Sequence, residues 1–347
     1  MKRTVALVSG LPLNSKRPTS FEHQLRLLAR VFRETGRETA VLGPDGLPRL
    51  AQGDAPAAAI LLGYPDQFPF LRSGETEHFP VFLWSQCSRP PDPASFGHAR
   101  IVPLTGKTEG FLRQADVTRL LPIIPHGIDA GLFRPLDAER RAKARASLGV
   151  SDTFVVGAVG ANTMRKRFDL IAEAFALFAK RHKNSTLLIK TDREASPFGV
   201  DIPAFSRKLG VRSSVRLITR ALSPEGLRDL YGAMDLYVNL SEWEGFCLPV
   251  VEAMACGVPI VTHRVQGPGE LVPYDALVAS DSDAFEDGGA LLLRANVQTA
   301  QRLITLAAED RSTRDKAAES GLAAARAFDV LRVVRLWETE IRKANGT

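Results

Sequence analysis

Short apolar runs recur along the chain, each ended by glycine, proline or a polar cluster, and between many of them the apolar positions move to helical spacing. Residues 4–9 form the first run, which stops at Gly10 and a Leu-Pro turn. A stretch with helical periodicity follows over residues 21–34 and is closed by Gly36. Further strands are expected over 39–42, 59–62, 81–84 and 100–104. The second half restarts with a strand over 153–160 and a helix over 168–180, where Phe168, Ile171, Ala174, Phe175 and Phe178 fall on one face. Strands over 186–189 and 215–218 come next, then a helix with Ser223 as N-cap and Pro224 at its first position. A strand over 235–240 leads into a helix with Pro249 expected at the first position and Gly257 just past the end. A strand over 259–262 and helices over 297–308, 312–327 and 331–343 complete the pattern.

Strands alternating with helices in this way predict parallel sheets covered by helices, an α/β protein. At 347 residues the chain exceeds one typical domain, so two are expected. Apolar content of 45% and charged content of 24% are ordinary for a soluble globular protein. No apolar run reaches the roughly 20 residues that span a bilayer, and the N-terminus turns polar too soon for a signal peptide. Cys87, Cys247 and Cys256 lack metal-ligand spacing and suggest a reducing compartment, so a cytoplasmic protein is expected. The net charge of +6 (45 basic against 39 acidic residues) is compatible with an anionic ligand or membrane surface, but its scatter shows no nucleic-acid-binding stripe.

The chemistry concentrates around Glu244 and Glu252. Glu244 lies in a glycine-containing loop after a strand, and Glu252 lies inside the next helix, whose N-terminus favours an anion. Two carboxylates beside an anion site call for a ligand that brings both hydroxyls and negative charge, and a nucleotide-sugar meets both needs. The stretch closely resembles the signature of the family-4 retaining glycosyltransferases: Glu244, seven residues, Glu252, then Ala253-Met-Ala-Cys-Gly257-Val-Pro259. The alternative is a pair of solvated charges.

The resemblance implies a GT-B type fold, two Rossmann-like doubly wound domains facing across a cleft, and covers residue 123 to the end. It is thin over the first 120 residues. Residues 1–135 would form an N-terminal, acceptor-side domain and 136–329 the donor domain, with 330–347 packing back on the first. The segment Ile123-Ile-Pro-His126-Gly-Ile-Asp129 resembles the family's crossing between domains, which gives His126 a hinge or structural role.

By the same resemblance, Glu244 contacts hydroxyls of the transferred sugar and Glu252 holds the ribose. Backbone N–H groups of Gly245, Phe246, Cys247 and Leu248 orient sugar and phosphates, and Lys166 stabilises the leaving diphosphate with Arg165 or Arg167 assisting. Relatives often carry an Arg where this chain has Ala161 and Asn162, and Asn162 is retained as a donor-side candidate. Lys190, Thr191 and Arg220 end strands that lie under the base in relatives. Gly10 ends the first strand, where relatives bring backbone to the donor phosphates, and its loop, through Arg17, is a candidate to meet the acceptor. Trp84 stands where relatives often place a His. It reads either as an acceptor platform or as a core tryptophan.

The implied activity is retaining, metal-independent transfer from a nucleotide diphosphate sugar, a co-substrate with no further cofactor, to a saccharide or lipid-linked acceptor, in cell-surface polysaccharide or glycolipid synthesis. The alternatives are another GT-B enzyme, such as an epimerase or phosphorylase, and a non-catalytic partner that only binds a nucleotide-sugar. The helix over 21–34 carries Arg26, Arg30 and Arg33, so it either lies on an anionic membrane at its inner face or packs its apolar side on the sheet. Three motifs are set aside. Thr105-Gly-Lys107-Thr108 lacks the first glycine of a P-loop. Asp281-Ser-Asp283, read as part of a late polar loop, is not taken as a metal pair. Gly267-Pro-Gly269-Glu270 is not a dinucleotide fingerprint, although it matches a turn that relatives place near the donor.

Overall fold

The continuous apolar runs become strands buried on both faces. A computed structural model describes residues 4–14, 19–53, 55–273, 277–279, 282–287 and 290–346. The chain divides into two compact units, Met1–Asp129 with Phe328–Thr347, and Ala130–Ala327.

Unit 1 contains β1 (Val5–Ser9), α1 (Ser20–Glu34), β2 (Thr39–Leu42), α2 (Gly46–Ala51), β3 (Ala58–Leu62), β4 (Val81–Ser85), β5 (Arg100–Pro103) and α3 (Gly106–Gln114). Its parallel sheet runs β2-β1-β3-β4-β5, so the strand order turns back beside β1. Alternate residues serve opposite faces. Val5, Leu7, Ile60, Leu62, Phe82 and Trp84 pack under α1 and the C-terminal helix. Ala6, Val8, Ala59, Leu61, Val81 and Leu83 pack with Leu47 of α2 and Leu112 of α3. Burial on both sides is why these strands read as unbroken apolar runs.

Helix α1 commits its apolar side, Leu25, Leu28, Ala29 and Phe32, to this core. Its exposed Arg26 and Arg30 pair with Glu22 and Asp129, and Arg33 bonds the Ala29 carbonyl. Among the described residues no helix is long and apolar enough to cross a membrane.

Unit 2 begins with α4 (Ala138–Leu148) and continues with β6 (Phe154–Val159), α5 (Phe168–Ala179), β7 (Ser185–Lys190), α6 (Ile202–Lys208), β8 (Val215–Ile218), α7 (Pro224–Gly232), β9 (Leu236–Val238), α8 (Leu248–Ala255), β10 (Ile260–His263), α9 (Pro268–Leu271) and β11 (Leu277–Ala279). A hairpin, β12 (Ser282–Asp287) with β13 (Ala290–Ala295), then leads to α10 (Val297–Glu309) and α11 (Arg311–Ala325). The last helix, α12 (Val330–Ala344), belongs to unit 1. The sheet of unit 2 is parallel in the order β11-β10-β9-β6-β7-β8. Strand order reverses between β6 and β9, and in such sheets ligands bind beyond the carboxyl ends at that reversal.

Several local expectations are corrected. Pro249 occupies the second position of α8 rather than the first; Leu248 opens the helix behind Cys247, which caps it at φ +79°. Helix α4 has only Ala144 buried, so it lacks the apolar stripe that would have revealed it. It docks through charge: Arg141 and Arg145 both reach Asp235, at 2.6 and 3.0 Å, and the same carboxylate accepts from the Val155 N–H at 2.8 Å. Of the acidic pair set aside above, Asp281 lies outside the described residues, as does Arg17, while Ser282 and Asp283 open β12 rather than a loop. Thr105 N-caps α3 by accepting from the Thr108 N–H, which accounts for the Thr-Gly-Lys-Thr string.

Candidate functional site at the strand reversal of unit 2

The loops after β6 and β9 leave the sheet from the two strands that flank the reversal. After β6 the backbone makes a short turn, Met164–Lys166, and Arg167 takes the left-handed conformation (φ +49°) before α5 starts. After β9 the loop carries Glu242, Trp243 and Glu244. The two loops are joined by one backbone bond and one side-chain bond: the Glu242 N–H donates to the Arg165 carbonyl at 2.9 Å, and Arg165 Nη1 donates to the Trp243 carbonyl at 2.7 Å.

Their charged side chains meet at Glu244, which is 5% exposed. Lys166 Nζ lies 2.5 Å from Oε1, and Arg165 Nη1 lies 2.5 Å from Oε2. Burial alone would raise this carboxyl, but the two cations outweigh it and hold it at about 2. Glu244 is therefore an acceptor-only carboxylate across the neutral range.

Glu252, in the middle of α8, is handled differently. Tyr231 of α7 donates to its Oε2 at 2.8 Å, and Oε1 has no protein donor among the described residues. Burial pushes this carboxyl up to about 7, with the Tyr231 hydrogen bond acting against the rise. The two glutamates of the signature thus hold their protons very differently, one ionised throughout and one poised near neutrality.

The rest of the loop is tightly built. Trp243 donates from Nε1 to Gln266 Oε1 at 3.0 Å, and the Arg165 guanidinium lies 5.5 Å from its ring centre. Gly267 (φ +81°) packs against the signature loop so closely that a Cβ there would meet the Phe246 carbonyl oxygen at 2.7 Å. That contact explains the Gly-rich turn. Gly245, Phe246, Cys247 and Leu248 run from Glu244 into α8. Cys247 is buried, and burial, with Glu244 adding to it, pushes its thiol up to about 12, which leaves it unreactive as a nucleophile.

Other sequence candidates lie further out. Lys190 and Thr191 end β7, with Lys190 Nζ donating to the Thr191 carbonyl at 2.8 Å. Burial lowers the Lys190 ammonium below its ordinary value, Asp192 opposing and Arg220 adding to the effect. Arg220 itself is exposed and lines a groove of about 650 Å³ with Arg140, Lys143 and Ser223. It is not joined to Glu244.

Asn162 departs from the expected donor contact. Its side chain accepts from the Val200 N–H at 2.9 Å and donates to the Val200 carbonyl at 2.7 Å, pinning the segment after β7. Gly10 in unit 1 also has a packing reason, because a Cβ there would strike Gln67 Oε1 at 2.2 Å. Trp84 is a core residue, not a platform for a sugar. It is fully buried, its indole N–H donates to the Ile124 carbonyl at 2.6 Å, and its ring packs on Trp337 and His126 at 5.3 and 4.6 Å between centroids. Its position on an inner strand under α12 leaves no ring face for a ligand. His126 is buried with it, and burial pushes its imidazole down to about 3.

Sequence reasoning overlooked Tyr231, Glu242 and Gln266. Glu242 and Trp243 stand beside the signature and were within reach of inspection; Tyr231 and Gln266 act across the fold and carry no local mark. Among the described residues, no group of three or more His, Cys, Asp or Glu is placed to hold a metal ion.

Comparison with known proteins agrees with this geometry. Residues 153–295 match the family described as Glycosyl transferases group 1. The D-inositol 3-phosphate glycosyltransferase of Segniliparus rotundus is 34% identical over 172 residues, which is 48% of this chain and 37% of that protein. The enzyme of the same name from Rhodococcus jostii is 33% identical over 201 residues, 56% of this chain and 43% of that protein. The matches thus span less than half the length of these two curated relatives. Among solved structures, Anabaena Alr3699/HepE in complex with UDP and glucose superposes with a TM-score of 0.76 at 16% identity, covering 98% of this chain and 100% of that one. Sucrose-phosphate synthase from Thermosynechococcus elongatus gives 0.77 at 16% identity, covering 99% of each chain. The fold is the GT-B type, with two Rossmann-like units, and over residues 153–295 the chain is similar to the glycosyl transferases group 1.

Proposed function

We propose that this protein is a retaining glycosyltransferase that moves a sugar from a nucleotide diphosphate sugar to a saccharide or lipid-linked acceptor, in cell-surface polysaccharide or glycolipid synthesis. The observation that carries this reading is the Lys166–Glu244–Arg165 cluster at the strand reversal. A carboxylate held ionised accepts hydrogen bonds from sugar hydroxyls. The two cations around it supply positive charge beside the place where a diphosphate leaves, so no metal ion is required for that task. Glu252, with Oε1 open, takes the ribose hydroxyls. The relatives' names point to a phosphorylated inositol as the acceptor for those proteins, and HepE was solved with UDP. A UDP-sugar is therefore the first donor to try.

In the transfer, the bond from the anomeric carbon to the diphosphate oxygen breaks and a bond to the acceptor hydroxyl oxygen forms. The hydroxyl proton passes to the departing diphosphate, because Glu244, held at about 2 by its two cations, is too weak a base to take it and stays a hydrogen-bond acceptor throughout. Lys166 moves its charge from Glu244 toward the leaving group as that group gains negative charge. Same-face attack and a covalent intermediate both satisfy this balance. The cysteines, none of them disulfide-bonded, fit the cytoplasm, where nucleotide-sugars are made.

A binding protein without turnover is the competing reading. It is favoured by Trp84, which leaves no proton-exchanging side chain at that strand end. Thermal stability against UDP-, GDP-, ADP- and TDP-sugars, with Glu252→Ala in parallel, tests the donor site. Ligand at about 100 times its dissociation constant adds roughly 2.7 kcal/mol. Stabilisation of the wild type by one base series, lost in the variant, supports the assignment, and nucleotide release on adding acceptor separates enzyme from binder. No stabilisation by any donor removes the donor-site assignment.

A further inference from the structure

Next to Lys166 and two residues before Glu244 lies a second ion cluster. Arg167 is 8% exposed and sits at φ +49°, ψ +47°, a left-handed conformation that non-glycine residues seldom adopt. Its guanidinium forks onto Asp169, with Nε to Oδ1 at 2.9 Å and Nη2 to Oδ2 at 2.6 Å. Nη1 pairs with the carboxylate of Glu242 across the two loops. Glu242 is also met by Arg294 of β13 at 3.3 Å. A strained backbone persists only where its surroundings over-determine it, and here two carboxylates fix a planar, preorganised side chain.

We propose that Arg167 and Glu242 are positioning residues, a clasp that locks the loop after β6 to the loop after β9 so that Lys166 and Glu244 are in register before a donor arrives. The lysine needs such help. Its charge rides on a flexible four-carbon stem, and only the placement of its backbone confines where the ammonium can reach. The backbone bond from Glu242 to Arg165 and the Arg165 side-chain bond to the Trp243 carbonyl run through the same seam, so loosening either end of the clasp frees both loops. The consequence for turnover rests on the glycosyltransferase reading above; the mechanical coupling does not.

The test uses the full chain with Arg167→Gly, Glu242→Gln, their combination, and Arg167→Lys. Glycine adopts the left-handed conformation without strain, so Arg167→Gly keeps the turn and removes the side chain's bonds to Asp169 and Glu242. Glu242→Gln keeps size and an acceptor oxygen, and serves if the glycine variant does not fold. Amide hydrogen exchange over 162–168 and 241–247 reads the coupling. Each single change is expected to raise exchange in both segments while the rest of unit 2 keeps its wild-type rates. With a turned-over donor, kcat is expected to fall roughly 10- to 100-fold, the scale of a small misplacement of a reacting group, with KM for the donor changed by less than about 3-fold. The combined variant is expected to be no worse than the poorer single one, and Arg167→Lys to recover part of the loss. Exchange that rises only in the segment bearing the substitution overturns the clasp, as does a combined loss equal to the product of the two single losses. If the wild type turns over no nucleotide-sugar, the functional reading fails, and hydrogen exchange still decides the clasp.

Discussion

Glu252 is expected to make both stability and, if it holds the ribose as proposed, donor binding depend on pH, with opposite senses. Its carboxyl rises from an ordinary 4.5 to about 7 because it is sequestered against α7. At about 1.4 kcal/mol per pH unit the rise is worth at most about 3 kcal/mol. The folded state prefers the protonated group, so this contribution to stability is fully present below pH 4.5 and is lost as pH climbs through 7. Glu252→Gln, which keeps the shape and the Tyr231 hydrogen bond but cannot ionise, should match the wild type near the acid limit. It should exceed the wild type by up to about 3 kcal/mol at alkaline pH. Binding runs the other way, since ribose hydroxyls want an ionised acceptor. A nucleotide-sugar whose diphosphate does not titrate in this window should bind roughly 30-fold more weakly at about pH 5.5 than on the alkaline plateau, and the dependence should vanish in Glu252→Gln. Denaturant unfolding and titration calorimetry over this pH range measure both. A stability difference that does not change with pH, or wild-type binding that is flat across neutrality, would refute the reasoning.

Four further outcomes are expected. Lys166→Ala should lower kcat by about 100- to 1000-fold if its ammonium meets the leaving diphosphate, as read in a nucleotide-release assay with saturating donor. Asp235→Ala, which strips Arg141, Arg145 and the Val155 N–H of a shared partner, should cost about 3–5 kcal/mol in unfolding free energy, the scale for breaking a buried ion pair. Gly267→Ala forces a Cβ against the Phe246 carbonyl at positive φ. It should weaken donor binding in calorimetry while moving the melting temperature only modestly. Trp84→Phe loses one buried hydrogen bond and should cost about 1–3 kcal/mol, with the KM for acceptor unchanged; a raised acceptor KM would restore Trp84 as a ligand contact.

Most strands of the two sheets were legible because burial on two faces writes an uninterrupted apolar run, although β11 was not expected, and the signature stretch from Ser241 to Gly257 was legible because its residues adjoin in sequence. What stayed hidden is physical in origin. Helix α4 docks by arginines onto Asp235 instead of by an apolar stripe, so periodicity has nothing to detect. Asn162 and Lys166 are four residues apart in one loop, yet one side chain is spent on the Val200 backbone and the other on Glu244; only the fold tells which. Trp84 read equally well as exposed or buried until the position of α12 over its strand was known. Glu244 and Glu252 look alike in the sequence, and their opposite proton affinities come from neighbours 78 and 21 residues away along the chain.

The placement of α12 also sets an order of assembly. Unit 2 is complete once the chain reaches Ala327, whereas unit 1, begun first, still lacks the helix that covers Phe82 and Trp84. During synthesis the first sheet must wait, one apolar face covered by α1 alone, while nearly two hundred residues of the inserted unit fold. Trp337 is then the last aromatic side chain to enter the older core. A nascent chain arrested before it should present a finished unit 2 and an unfinished, aggregation-prone unit 1, and a chaperone acting on this protein would find its binding face on the half that was made first.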